Sequence, residues 1–220
     1  NFGDIGVDTV LHMDFLSKEK LQNELCINLM RPYAMVTFHP VTMEKDSVNQ
    51  LKSLLSAIEE ENELIYVFTK ANADIGGAFI NQVLQEFCEI HENCYLFDSL
   101  GSRKYLSMLA GCKVVIGNSS SGIYEAPAFR IPTINIGNRQ NGRVKAKSIV
   151  DCKPNKEEIV KAIKMVQSNS FTKKLKNMKI PFEGGKTAEK ILEKIVQVVE
   201  NKINLQKGFY DIYFKTDIEK

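Results

Sequence analysis

The sequence predicts an α/β fold in which a parallel sheet is wound with helices on both faces. Short runs of four to six apolar residues, at 33–38, 64–69 and 113–116, alternate with segments of helical periodicity. Those runs are almost continuously apolar, as strands covered on both faces require. The stretches between them are long enough for a crossover helix and hold little else. The expected architecture is a doubly wound, Rossmann-like sheet.

Ser17 caps a helix expected over 17–30, with Leu21, Leu25 and Leu29 on one stripe. A strand follows at 33–38. Asp46 opens a helix carrying Val48, Leu51, Leu54, Leu55 and Ile58 at helical spacing. Further strands are expected at 64–69, 94–97, 113–116 and 131–136, separated by helices at 79–90, 103–110 and 121–129. Pro132 has no N–H for a ladder, so the fifth strand starts there or lies at an edge. Asn155 and Glu158 form a capping-box pattern for a helix through Ile159, Ala162, Ile163 and Val166. After Gly184-Gly185, the residues Ala188, Ile191, Leu192, Ile195, Val196 and Val199 mark a strongly amphipathic helix. Lys173, Lys174, Lys176 and Lys179 read as a solvated helix face.

The 220 residues suit one α/β domain or half of a two-domain enzyme, and 44% hydrophobic with 25% charged residues suits a soluble chain with a sizeable core. Lys and Arg total 29 against 27 Asp and Glu, and the resulting net charge of +2 excludes nucleic-acid binding driven by bulk charge. No apolar run approaches the roughly 18 residues of a membrane helix, and no export signal is visible, so a cytoplasmic location is expected. The chain starts Asn1-Phe2-Gly3 without Met and is expected to be cut from something longer. The five cysteines (Cys26, Cys88, Cys94, Cys112, Cys152) form no CxxC pair and are expected to be reduced and buried. They share no ligand spacing with His12, His39 or His91, so no zinc site is expected.

In an open parallel sheet, ligands bind outside the carboxyl ends of the strands. Each expected strand is followed there by polar or glycine-containing sequence: His39-Pro40; Lys70 through Asn72 and Asp74 to Gly77; Asp98 to Gly101; Gly117-Asn-Ser-Ser-Ser-Gly122; and Gly137 through Arg139 and Gln140 to Arg143. The fourth is the most informative. Three serines lead into a helix, whose first-turn N–H groups suit an anion such as phosphate. Gly117 and Gly122 are expected to let a ligand approach the backbone. Glu125, one turn in, suits the two hydroxyls of a ribose. Arg139 and Arg143 suit a diphosphate. His39 suits donation to a phosphate or proton transfer. Asn72 and Asp74 reach a sugar or base, or form an Asx turn. There is no GxGxxG after a first strand and no GxxxxGK[ST], which disfavours NAD or FAD and excludes a P-loop ATPase. The residues alone point to a nucleotide or nucleotide-sugar site.

Four motifs carry a family resemblance: Val36 to Thr42, Lys70 to Gly77, Gly117 to Pro127 and Ile136 to Arg143. Together they resemble the hydrolysing UDP-N-acetylglucosamine 2-epimerases of sialic-acid and legionaminic-acid routes. The resemblance implies the C-terminal half of a glycosyltransferase-B-like two-domain enzyme, with residues 1–205 as the UDP-binding domain, 206–220 as a tail and the N-terminal catalytic domain absent from this chain. It implies that Ser119, Ser120 and Glu125 hold UDP, that His39 and Arg139 face its phosphates, that Asn72 lies near the nucleotide, and that the backbone around Leu100 meets the uracil. Elimination of UDP to a glycal and hydration with inversion at C2 are implied, without a cofactor, by a homo-oligomeric full-length protein. The acid–base carboxylates would lie mainly in the other domain, leaving this fragment inactive alone. Non-hydrolysing epimerases usually carry Ser-Gly-Gly, Glu-Glu and Arg-Pro-Glu where this chain has Ser-Ser-Gly, a single Glu and Arg139-Gln-Asn-Gly-Arg143. A diacetylbacillosamine-nucleotide epimerase, a UDP-sugar glycosyltransferase and a non-catalytic nucleotide sensor stay open at this point.

Overall fold

A computed structural model describes residues 1–41, 46–61 and 63–201, with Gln206 and Gly208. Thr42 of the first motif and nearly all of the expected tail at 206–220 lie outside the described residues. In chain order the elements are α1 (Ile5–His12), α2 (Lys18–Leu25), β1 (Tyr33–Thr37), α3 (Ser47–Glu59), β2 (Ile65–Thr69), α4 (Gly77–Ile90), β3 (Cys94–Phe97), α5 (Gly101–Gly111), β4 (Val114–Gly117), α6 (Ser121–Ala128), β5 (Thr133–Ile136), β6 (Ile149–Cys152), α7 (Lys156–Gln167), α8 (Asn169–Leu175) and α9 (Thr187–Glu200).

The described strands form one six-stranded sheet in the order β3-β2-β1-β4-β5-β6, every pairing parallel. The alternation of side chains along β1 shows why its run is apolar throughout. Ala34 and Val36 face a core shared with Leu51 and Leu54 of α3, Ile80 of α4 and Ile163 of α7. Tyr33 and Met35 face a second core with Val7 of α1, Leu21 of α2, Leu109 of α5 and Ala126 of α6. The doubly wound α/β expectation therefore holds, with two helical layers around one sheet.

The differences from expectation are local. The helix opened by Ser17 ends at Leu25, because Cys26 turns left-handed at φ 53°. Leu29 is still buried, from the following loop, where its N–H donates to Gln22 Oε1 at 2.8 Å. β6 is an additional strand, a four-residue segment interrupted by Asp151 that carries no apolar run. It covers β5, which begins immediately after Pro132, so the first alternative for that proline holds and the edge alternative does not. α1 was not anticipated; Asp4 caps it by accepting from the Val7 N–H. The capping residue for α7 is as expected, with Asn155 Oδ1 accepting from the Glu158 N–H at 3.0 Å. Cys94 and Cys112 are buried and Cys88 and Cys152 half-buried, but Cys26 is exposed, contrary to expectation, because it sits on the turn that ends α2.

α9 begins without a cap of its own, Lys186 being left-handed at φ 58°. Asp8 of α1 serves instead, accepting from the N–H groups of Thr187 and Ala188 at 3.0 and 3.3 Å. Among the described residues its apolar stripe is largely uncovered: Leu192, Ile195, Val196 and Val199 are 45–70% exposed. No helix of the described residues is long and apolar enough to cross a membrane.

Candidate functional site

Strand order places the site. From β1 the chain crosses to β2 on one side, and from β4 it crosses to β5 on the other. The loops after β1 and β4 therefore part, and the crevice between them is the usual ligand position in such sheets.

Asn118, the first residue beyond β4, is 1% exposed and ties three loops together. Its side-chain Oδ1 accepts from the His39 N–H at 2.7 Å, and its Nδ2 donates to the His39 carbonyl at 2.8 Å. Its backbone N–H donates to the Thr37 carbonyl at 3.2 Å. Its carbonyl accepts from Arg139 Nη1 at 3.1 Å and from Gln140 Nε2 at 2.7 Å. The segments after β1, β4 and β5 thus meet on one residue.

His39 is held further by the loop after β2, where the Asn72 N–H donates to its Nδ1 at 3.2 Å. A nitrogen that accepts carries no proton, so in the neutral ring the proton sits on Nε2. Burial, reinforced by the nearby Arg139 charge, pushes the His39 pKa below its ordinary 6.5. At neutral pH this is an uncharged imidazole whose Nε2–H is a donor. Asn72 itself is exposed, and its Nδ2 donates to Asp74 Oδ2 at 2.6 Å. This bond joins two side chains and is not the side chain-to-backbone bond of an Asx turn.

Ser119 and Ser120 lead into α6 as expected. Ser119 Oγ accepts from the Ser121 N–H at 3.4 Å, while Ser120 stands at the cap position without a side-chain capping bond. Ser121 Oγ accepts from the Tyr105 hydroxyl at 2.9 Å. Burial raises the Glu125 pKa, and Asp4 adds to the effect. Glu125 Oε2 is enclosed and has no hydrogen-bond partner. The start of α1 backs this carboxylate, since a Cβ on Gly6 would lie 3.3 Å from Oε1.

The two arginines flank the serine turn. Arg139 reaches the Asn118 carbonyl, and the Arg143 guanidinium lies 5.3 Å from the centre of the Tyr124 ring on α6, a cation–π contact. Burial lowers the Arg139 pKa, with Asp74 acting in the opposite direction. Leu100 caps α5 beyond β3, its side chain buried in the second core, so only its backbone is on offer to a ligand. His12 and His91 each bond the carbonyl one helical turn back, a structural use.

Gly117 and Gly122 are each required by packing. A Cβ on Gly117, whose φ is +132°, would lie 2.0 Å from the Thr37 carbonyl oxygen. One on Gly122 would lie 2.7 Å from Thr133 Cγ2 of β5. Each glycine lets α6 or β4 close onto a neighbouring strand.

The profile of the UDP-N-acetylglucosamine 2-epimerase family matches residues 1–196. The chain belongs to this family. It is 38% identical over 214 residues to the GDP/UDP-N,N'-diacetylbacillosamine 2-epimerase (hydrolyzing) of Campylobacter jejuni, covering 96% of this chain and 55% of that protein. It is 34% identical over 214 residues to polysialic acid biosynthesis protein P7 of Escherichia coli, covering 96% and 54%. The chain therefore spans about half the length of the curated relatives it matches. Its fold is similar to that in the S. aureus MnaA-UDP co-structure, with a TM-score of 0.68 at 17% identity over 96% of this chain and 57% of that one. The fold is thus the doubly wound α/β type that the sequence implied.

Asn118, Gln140 and Tyr105 were not singled out from sequence. Asn118 and Gln140 lie inside quoted motifs, and their polarity at positions flanked by strand and turn was the available signal. Tyr105 carried none, since an aromatic residue in a short helix reads as core.

Proposed function

We propose that this chain is the UDP-binding half of a hydrolysing UDP-N-acetylhexosamine 2-epimerase. The observation that carries the reading is the convergence on Asn118 of the loops bearing His39, the serines and Arg139. The crevice at β1 and β4 then presents a helix N-terminus, two hydroxyls, an imidazole donor and guanidinium groups to a single anion.

In this reading Arg139, Arg143 and the Ser119–Ser120 turn hold the diphosphate. Glu125 accepts from the ribose hydroxyls, which supply the hydrogen bond its Oε2 lacks. Asn72 lines the nucleotide and the backbone at Leu100 meets the base. His39 donates Nε2–H to the β-phosphate as the C1–O bond breaks. Loss of the C2 proton and of UDP leaves a C1=C2 glycal; water then adds OH to C1 and H to C2 from the opposite face, giving N-acetylmannosamine. We assign the C2 proton transfers to the length of the relatives that this chain does not span. The working enzyme is a cytoplasmic homo-oligomer that requires no cofactor, and residues 1–205 form its UDP domain.

Calorimetry of this chain with UDP, UMP and UDP-N-acetylglucosamine tests the binding. UDP tighter than UMP supports the reading, and no binding of any of them refutes it. The full-length protein should release UDP from a UDP-acetamido sugar without an acceptor. A need for an acceptor would instead identify a glycosyltransferase. The high identity to the C. jejuni protein favours a second substrate assignment, the UDP-N,N'-diacetylbacillosamine nucleotide. Rates on the two sugar nucleotides measured side by side decide between them.

A further inference from the structure

We infer that Asn118 is the positioning residue of this site, holding His39 and Arg139 at a fixed separation so that both address the same phosphate. The inference rests on the UDP reading above for the identity of the ligand and on geometry for the rest.

Each polar group of Asn118 has a partner, and each partner lies at the end of β1 or in the loops that follow β1 and β5. The side-chain amide is matched in both senses to residue 39: oxygen to N–H, nitrogen to carbonyl. Only a group that offers an acceptor and a donor side by side satisfies that pair, and serine or alanine does not. The carbonyl of the same residue is occupied by Arg139 and Gln140. Gln140 is itself 1% exposed, so it is packed as a strut beneath the arginine loop. The link from imidazole to guanidinium therefore runs through one residue that is itself buried, while the two side chains it joins stay partly exposed. Moving the backbone of residue 39 also breaks the contact from the Asn72 N–H that determines which ring nitrogen carries the proton. Asn118 touches no reacting atom in this arrangement; it acts through the residues it holds.

Asn118→Asp and Asn118→Ala test this in the chain as it stands, with two readouts. The first is the nitrogen NMR signals of the imidazoles. In the parent, His39 should be protonated on Nε2 when neutral. In Asn118→Ala its titration midpoint should rise toward 6.5 and the tautomer preference should weaken. His12 and His91 lie outside the network and should not move, which separates local release from loss of the fold. The second readout is UDP affinity relative to the parent across pH. Asn118→Ala should weaken binding about tenfold at every pH. Asn118→Asp should be similarly weak when ionised, since a carboxylate has no hydrogen for the His39 carbonyl. It should recover on acidification, because the protonated acid reproduces the donor–acceptor pair. Recovery of affinity in step with recovery of the His39 signals ties the loss to the position of the imidazole, whereas recovery with His39 unmoved would not. Unchanged His39 signals in both variants, or a constant affinity ratio for Asn118→Asp across pH, overturns the inference. If the parent does not bind UDP, the ligand assignment fails, while the imidazole signals still decide the role of Asn118.

Discussion

Replacing Glu125 with glutamine should move stability and affinity in opposite directions. Burial raises the folded pKa of this carboxyl above its ordinary 4.5. The group therefore favours the folded state most at low pH, and that contribution is lost as pH rises through the folded value. Once ionised, the carboxylate is a partly buried charge with one oxygen unpaired. An unpaired buried polar group costs about 1–3 kcal/mol, and glutamine removes the charge but not all of the pairing deficit. The lower end, about 1 kcal/mol, raises Tm by about 2–4 °C in a chain of this size. The gain should vanish as pH falls toward 4.5, where the parent protonates itself. If Glu125 accepts the ribose hydroxyls, the same change removes a charged acceptor and weakens UDP by roughly ten- to a hundredfold. Thermal unfolding across pH and calorimetry with UDP measure the two effects, with Lys174→Ala as a control outside the crevice. A more stable variant with unchanged UDP affinity would show that Glu125 is only a buried helix carboxylate, and the ribose assignment would fall.

Arg139→Ala should weaken UDP by roughly tenfold or more, whereas Arg143→Ala, at an exposed site, should cost less than about fivefold and fade in high salt; calorimetry at two ionic strengths reads both. The depressed pKa of His39 contributes stability above pH 6.5 that is lost as pH falls toward the folded value, so His39→Gln should flatten the acid side of a Tm–pH curve. Gly122→Ala drives a methyl group against Thr133 Cγ2 and should destabilise by about 1–3 kcal/mol in urea unfolding, and Gly117→Ala by more, because backbone faces its Cβ. With Ellman's reagent, the exposed Cys26 should react first in the native chain; burial pushes the other four thiols up to about 12, and they should wait for unfolding.

Strands β1 to β5 and the helices between them were legible because each is covered on two faces, which writes an apolar run or a helical stripe into the chain. β6 was not, since its three half-buried residues and the exposed Asp151 bear no such mark. Its existence depends on β5 offering an edge, which is information from the neighbour. The end of α2 escaped for a related reason: Leu29 kept the helical spacing while being buried from a loop. Of the candidate site, the residue types and the carboxyl edge on which they fall were readable, because a parallel sheet delivers every strand end to that edge.

What the sequence determined by itself is the class of fold, the sheet edge on which the candidate site falls and the inventory of polar groups there, for periodicity and punctuation are local properties. Which strand neighbours which, and hence which of those groups face one another, was decided by the tertiary structure. Asn118 is the clearest case: His39 lies 79 residues away and Arg139 lies 21 away, and no local pattern says that one buried amide joins them. Partner choice among distant hydrogen-bonding groups follows from how two helical layers and a twisted sheet pack, and that packing is a property of the whole chain.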